Sequence, residues 1–422
     1  MTGAAARTAS RPFHVMAKPT GAVCNLDCAY CFYLTKKQLY PGSGFRMPDD
    51  VLEQYVVQLL DAHRDQPETV LAFQGGEPTM MGLDFYRRVV ELERRHARPG
   101  QVVRNTLQTN ATLLDDDWAE FLREHDFLVG VSVDGPRELH DTYRVDRGGK
   151  PTFDRVVAGL AALQRHGVEW NALVTVNRAN QDHGADVYRF LRDDLDAHFV
   201  QLIPIVDRHD GELLPHSVEP AAYGDFLCAV FDEWVRHDVG TVFVQDFDTA
   251  LAHWLGLEGA GVCVHERTCG TSVALEHTGD VYSCDHFVDP EHLLGSIMGS
   301  SIRGSSTAEG RTLLELVESP QQRAFGDAKR DLPAWCRSCR VRFACNGGCP
   351  KDRFATAPDG EPGLHHLCEG YRRFFEHVDR PMRFMAERVR SGGEAADVMT
   401  LMARSDRTAA APVEEKAGEH HG

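Results

Sequence analysis

The sequence lacks any apolar run of the roughly 18 residues that crossing a bilayer demands, and its opening, MTGAAARTASRPF, has no apolar core of the kind that marks a secretory signal. It is also poor in positive charge: 45 lysines and arginines stand against 63 aspartates and glutamates, a formal charge of -18. That balance repels phosphate backbones and anionic lipid, so neither nucleic acid nor membrane is an expected partner. Internal repeats and low-complexity tracts of any weight are missing too. The expectation is an acidic cytoplasmic protein, held in a reducing compartment where disulfides are rare.

At 422 residues the chain has room for two or three domains. Between residues 12 and 206, short β-rich runs alternate with amphipathic stretches. The strand candidates are HVMAK from His14, TVLAFQ from Thr69, VVRNTLQTN from Val102, FLVGVSVD from Phe127, WNALVTVN from Trp170 and FVQLIPIV from Phe199. Between them lie helix candidates such as DDVLEQYVVQLLDAH, where Val51, Leu52, Tyr55, Val56, Leu59 and Leu60 share one face. Strands alternating with helices predict a parallel sheet with right-handed crossovers, here an α/β partial (β/α)6 TIM-like barrel. QGGEP, QTN, SVDGP and TVN all follow strand ends, the rim where loops build an active site in barrel-like folds.

The predicted organisation is a disordered start over 1–11, a barrel over 12–230, a helical linker over 231–262, a cysteine-rich domain over 263–375, a C-terminal helix over 376–402 and a disordered tail over 403–422. The 263–368 stretch is broken by Gly, Pro and Cys. It reads as too irregular for an apolar core of its own and as stapled by metal.

Twelve cysteines in a reduced chain read as metal ligands, because eleven of them cluster. Cys24, Cys28 and Cys31 form C-x3-C-x2-C. Cys228 lies on the apolar face of a helix and reads as packing. The remaining eight, Cys263, Cys269, Cys284, Cys336, Cys339, Cys345, Cys349 and Cys368, make two sets of four. Iron-sulfur cubanes take four thiolates, so a set of three leaves one iron open to a small molecule. The alternative at the first motif is a zinc site with His14 or another residue as fourth ligand.

CNLDCAYCFY after the first strand, FQGGEPT, LQTNATLL, VSVDGP and YSCDHFV together resemble the radical S-adenosylmethionine enzymes with a C-terminal SPASM-type iron-sulfur domain. Within that group they resemble the anaerobic sulfatase-maturating enzymes, over about Lys18 to Phe375. The resemblance implies S-adenosylmethionine and three 4Fe-4S clusters as cofactors. It also implies an oxidoreductase that turns a sulfatase Cys or Ser into Cα-formylglycine. The implied substrate is an unfolded or nascent sulfatase polypeptide, and the implied electron donor is a flavodoxin or ferredoxin. A maturase of a different, ribosomal peptide would share the cluster apparatus, but only 23 residues precede Cys24, and no leader-recognition domain is evident there.

By the same resemblance, Cys24, Cys28 and Cys31 hold the cluster that binds S-adenosylmethionine. Cys263, Cys269, Cys284 and Cys349 hold one auxiliary cluster, and Cys336, Cys339, Cys345 and Cys368 the other. Tyr30, Gly76, Ser132, Arg144 and Val206 match cofactor-binding positions, and Asp285 matches the general base. Gly76 suits close backbone approach, and the planar fork of Arg144 suits a carboxylate, although read alone Arg144 is a solvated loop charge. Ala111 stands where the family's QTNGT run has glycine, which leaves that turn open. A free Asp of pKa about 3.9 matches a thiol of about 8.5 poorly; burial beside an apolar wall would raise the Asp and favour proton transfer.

Overall fold

The computed structural model describes residues 8–259, 261–299 and 311–410. The expected strands form as β1 His14–Lys18, β2 Thr69–Phe73, β3 Val103–Thr109, β4 Phe127–Ser132, β5 Trp170–Val176 and β6 Phe199–Pro204. Helices α1 Asp49–Ala62, α2 Leu83–His96, α3 Asp116–Glu124, α4 Arg137–Tyr143, α5 Phe153–His166 and α6 Gly184–Arg189 carry the chain back between them. In α1 the expected apolar face is buried, while Asp49 and Asp50 occupy the first turn, at the positive end of the helix dipole. Neighbouring strands from β1 to β6 all pair in parallel, so their carboxyl ends share one rim.

The sheet does not stop at six strands. After α7, Pro220–His237, come β7 Phe243–Val244, α8 Gln245–Leu255, β8 Ser272–Glu276, β9 Asp280–Tyr282 and β10 Leu293–Ser296. The sheet order is β10-β9-β8-β1-β2-β3-β4-β5-β6-β7. β8 lies parallel to β1 from His14↔Ser272 to Lys18↔Glu276, and β9 and β10 add as antiparallel strands. This corrects the expectation of a cysteine-rich segment without an apolar core, since Val273, Ala274, Leu275, Val281 and Tyr282 are wholly buried. Hydrophobic burial against β1 holds this part of the segment.

Other expectations also give way. The boundary at residue 230 falls inside α7, which runs on without a break. The single C-terminal helix is three: α9 Cys368–His377, α10 Asp379–Arg390 and α11 Asp397–Ala410. The expected tail over 403–422 is helical to Ala410, and 411–422 lie outside the described residues, as do 1–7 of the expected disordered start. Ala9 is buried, and its N–H donates to the Ala62 carbonyl at 2.9 Å. α9 crosses α7 so closely that a Cβ on Gly370 would stand 2.2 Å from the Pro220 oxygen; two glycines permit this contact.

One buried acid predicts a pH effect. Glu93, on the inner face of α2, leaves Oε1 without a partner among the described residues, and burial pushes its carboxyl up to about 7 against an opposing hydrogen bond from Asn105. The folded chain thus binds this proton more tightly than the unfolded chain does. The contribution is complete below about pH 4 and is lost as pH rises through about 7. Glu93→Gln is expected to raise Tm by a few degrees near pH 8 and to leave it nearly unchanged near pH 4, which calorimetry at the two pH values checks.

Candidate functional site

A cavity of about 240 Å³ opens at the carboxyl ends of β1 to β6. The loop leaving β1 carries Cys24, Cys28 and Cys31 to its wall, and the loop leaving β2 lies against that loop. The Gly76 N–H donates to the Gly21 carbonyl at 2.8 Å, and the Glu77 N–H to the Val23 carbonyl at 2.9 Å. A Cβ on Gly76 would stand 1.9 Å from the Val23 oxygen, so the close approach that glycine serves here is to the residue before Cys24. The Glu77 side chain is buried and accepts hydrogen bonds from Thr79 N at 3.0 Å, Thr79 Oγ1 at 2.6 Å, Thr109 Oγ1 at 2.7 Å and Asn110 N at 2.8 Å, locking the ends of β2 and β3 together.

Burial pushes the Cys24 thiol up to about 12 and Cys28 to about 11, and raises Cys31 as well. Twelve cysteines are free of disulfides. Buried thiols gathered in this way form a soft donor set that a cationic centre converts to thiolates. His14 does not join them. It is exposed at the amino end of β1, whereas the cysteines follow the carboxyl end, so the residues present fit an iron-sulfur cluster rather than a His14-completed zinc site.

Gly76, Tyr30, Ser132 and Arg144 all line the cavity. Val206 does not: Ile203 and Ile205 face inward, while Val206 is buried and its carbonyl accepts the Lys351 ammonium at 2.8 Å. Arg144 is no solvated charge. It is buried, its Nε donates to Asp134 Oδ2 at 2.8 Å, and it lies 5.5 Å from the Tyr30 ring centroid. Tyr30 OH donates to the same Asp134 oxygen, and Thr175 N donates to Oδ1 at 2.9 Å. Arg144 and these hydrogen bonds hold the Asp134 carboxyl below its ordinary value despite burial. Ala111 adopts the left-handed backbone at φ 58, so the turn after QTN forms here with an alanine.

Asp285 also reaches the cavity, from the turn after β9. Its Oδ1 pairs with the ammonium of Lys18, the last residue of β1 and itself buried. Lys18, Asp134 and Glu77 are the polar residues that sequence reasoning missed. Asp134 and Glu77 sit inside the SVDGP and GGEP runs, and Lys18 is a lone cation ending an otherwise apolar strand.

The other eight thiols lie in two neighbourhoods. Cys336, Cys339, Cys345 and Cys368 line one small cavity with Trp335 and Arg342. Cys263, Cys269, Cys284 and Cys349 lie close enough to influence one another's ionisation. Beside this second group the buried Lys329 ammonium donates to the carbonyls of Cys263 and of Val264, the latter at 2.9 Å. Burial raises Cys345 to about 12 and Cys349 to about 11, so both sets share the donor chemistry of the first. Cys228 packs against the core of α7, as expected.

Comparison with known proteins identifies relatives of this chain. The Radical SAM superfamily model matches residues 19–191. A serine-type anaerobic sulfatase-maturating enzyme of Bacteroides thetaiotaomicron is 43% identical over 411 residues, spanning 93% of this chain and 96% of that protein. A cysteine-type enzyme of Clostridium perfringens is 33% identical over 376 residues, spanning 87% of this chain and 96% of its own length. Among solved structures, native anSMEcpe with bound AdoMet and Cp18Cys peptide superposes with a TM-score of 0.78 at 32% identity, covering 90% of this chain and all of that one. Streptococcus suis SuiB bound to S-adenosylmethionine shares the fold at 15% identity and a TM-score of 0.58, covering 85% of this chain and 78% of its own.

Proposed function

This chain belongs to the anaerobic sulfatase-maturating enzymes of the radical SAM superfamily, and on that premise we propose that it oxidises an active-site cysteine or serine of a sulfatase to Cα-formylglycine. The observation that carries the reading is one cavity bringing together three thiols, Gly76, Arg144 and Asp285. When bound, the 4Fe-4S cluster and S-adenosylmethionine supply the 5'-deoxyadenosyl radical that removes a hydrogen atom from the substrate β-carbon.

The chain's own residues do the rest. Cys24, Cys28 and Cys31 hold the cluster, and the Gly75–Gly76 backbone and Arg144 receive the polar end of S-adenosylmethionine. Tyr30 and Ser132 line the same cavity. Asp285 accepts the thiol or hydroxyl proton as the carbon is oxidised. Cys263, Cys269, Cys284 and Cys349 hold one auxiliary 4Fe-4S cluster, and Cys336, Cys339, Cys345 and Cys368 the other. Full ligation suits them to electron transfer, with a flavodoxin or ferredoxin as external donor. At the end of β6, Ile203 and Ile205 line the cavity and Val206 follows them directly, so this short aliphatic run is where the adenosine contact is expected.

Mass spectrometry of sulfatase-derived peptides after anaerobic incubation tests the reading. Loss of a hydrogen pair from the serine peptide, or the same loss with sulfur exchanged for oxygen in the cysteine peptide, is the expected result. An intact peptide alongside 5'-deoxyadenosine would point to another substrate. Iron and sulfide in the same preparation are expected to approach three cubanes per chain, and a value near one would refute the eight-ligand assignment.

A further inference from the structure

Lys18 stands where an apolar residue would be ordinary. β1 reads HVMAK, and its last side chain is 2% exposed. An ammonium buried without compensation costs several kcal/mol, so its persistence needs a partner. That partner is the Asp285 carboxylate; among the described residues no other group hydrogen-bonds or ion-pairs with Asp285. Three further contacts fix the lysine. The ammonium lies 4.6 Å from the centroid of the Tyr33 ring. The stem runs against Gly75, where an added Cβ would come 3.2 Å from Lys18 Cδ. The backbone is held in register with Glu276 on β8. Glu276 is itself occupied, accepting the Tyr33 hydroxyl at 2.5 Å and meeting His277 Nδ1 at 2.9 Å.

The ion pair joins two parts of the molecule that carry different thiols. Lys18 precedes the Cys24 loop on the central sheet, and Asp285 directly follows Cys284 in a short turn. A carboxylate on such a turn can swing, and the lysine is anchored in the sheet. We propose that Lys18 is the positioning residue of this site, holding the Asp285 carboxylate in the cavity so that it meets the substrate's thiol or hydroxyl. The assignment rests on the reading of Asp285 as proton acceptor. It adds that the acceptor's position is set from β1 and not by the turn that bears it.

The test uses the full chain as Lys18→Met, Asp285→Asn and the double variant, reconstituted and supplied with S-adenosylmethionine and peptide. In Lys18→Met the formylglycine formed per 5'-deoxyadenosine released is expected to fall by about 100-fold, the order of loss a misplaced catalytic group produces. Asp285→Asn is expected to fall comparably, and the double variant no further, because the lysine acts through the carboxylate. In the metal-free chain, backbone hydrogen exchange over Asp285–Phe287 is expected to quicken in Lys18→Met, a readout that needs no bound group. Normal coupling in Lys18→Met, or losses that multiply in the double variant, overturns the proposal. Normal coupling in Asp285→Asn refutes the acceptor reading itself, and the positioning role with it. Should Lys18→Met fail to fold, Lys18→Gln, uncharged but still able to donate to the carboxylate, is judged on the same readouts, with a coupling between the two extremes expected and a value equal to that of the unaltered protein overturning the proposal.

Discussion

Gly76→Ala is expected to yield a chain that neither folds to full stability nor holds iron at its first cysteine motif. The added methyl would stand 1.9 Å from the oxygen, 2.4 Å from the carbonyl carbon and 2.9 Å from the nitrogen of Val23. These are backbone atoms, so no rotamer change relieves the overlap, and one loop must move. Moving it breaks the hydrogen bonds from Gly76 N to Gly21 O and from Glu77 N to Val23 O, and displaces Cys24. Overpacking alone costs about 1–3 kcal/mol, and the lost backbone pairing adds about 1 kcal/mol per bond. A suitable control is Gly82→Ala. Gly82 has φ 81 and ψ 161 with open space around it, so the substitution costs only backbone strain, about 1–3 kcal/mol in a region that glycine alone adopts readily. Thermal unfolding of both metal-free variants, with iron counted after reconstitution, checks the pair. Gly82→Ala is expected to retain its iron, and Gly76→Ala to lose the share of the first cluster.

That contrast shows how much the sequence disclosed. The six strands were legible because β-branched and aromatic runs alternate with one-faced helices, and parallel pairing then put the polar clusters on one rim. The grouping of eleven cysteines followed from spacing and from the resemblance. β8 and β9 were not legible: SVALEHTGDVYS is a short hairpin between cysteines, and its apolar alternation gains meaning only when β1 offers an edge to pair with. The C-terminal region resisted for another reason. Helix periodicity continues across Val378 and across Gly392–Gly393, where the structure changes direction, so one pattern covers three helices. Residues whose importance is relational were hardest to read. Lys18 matters because of Asp285, 267 positions away, and Arg144 looked solvated because Asp134 gave no sign of turning inward to meet it.

Asp134→Ala is expected to be the most damaging single truncation at the cavity. The side chains of Asp134 and Arg144 are 1% and 8% exposed, so their ion pair sits where water cannot replace either partner. Removing one member of a buried pair costs about 3–5 kcal/mol, chiefly because the other charge is left uncompensated. Three donors lose their acceptor at once: Arg144 Nε, Tyr30 OH and Thr175 N. Tyr30 and Arg144 both face the cofactor cavity, and Tyr30 lies directly before Cys31, so the damage extends from stability to the site. Asp134→Asn separates the effects. The amide oxygen can still accept, while the charge that balances Arg144 is gone, so the loss is expected to be smaller in stability yet large in S-adenosylmethionine affinity. Surface pairing supplies the scale. Arg137 and Asp154 form a pair with side chains 48% and 79% exposed, and Asp154→Ala is expected to cost less than about 1 kcal/mol. Denaturant unfolding of the metal-free variants gives the stability terms, and binding of S-adenosylmethionine to the reconstituted proteins gives the other. If Asp134→Ala proves no worse than Asp154→Ala, the buried aspartate is not what holds Arg144 and Tyr30 in the cavity wall.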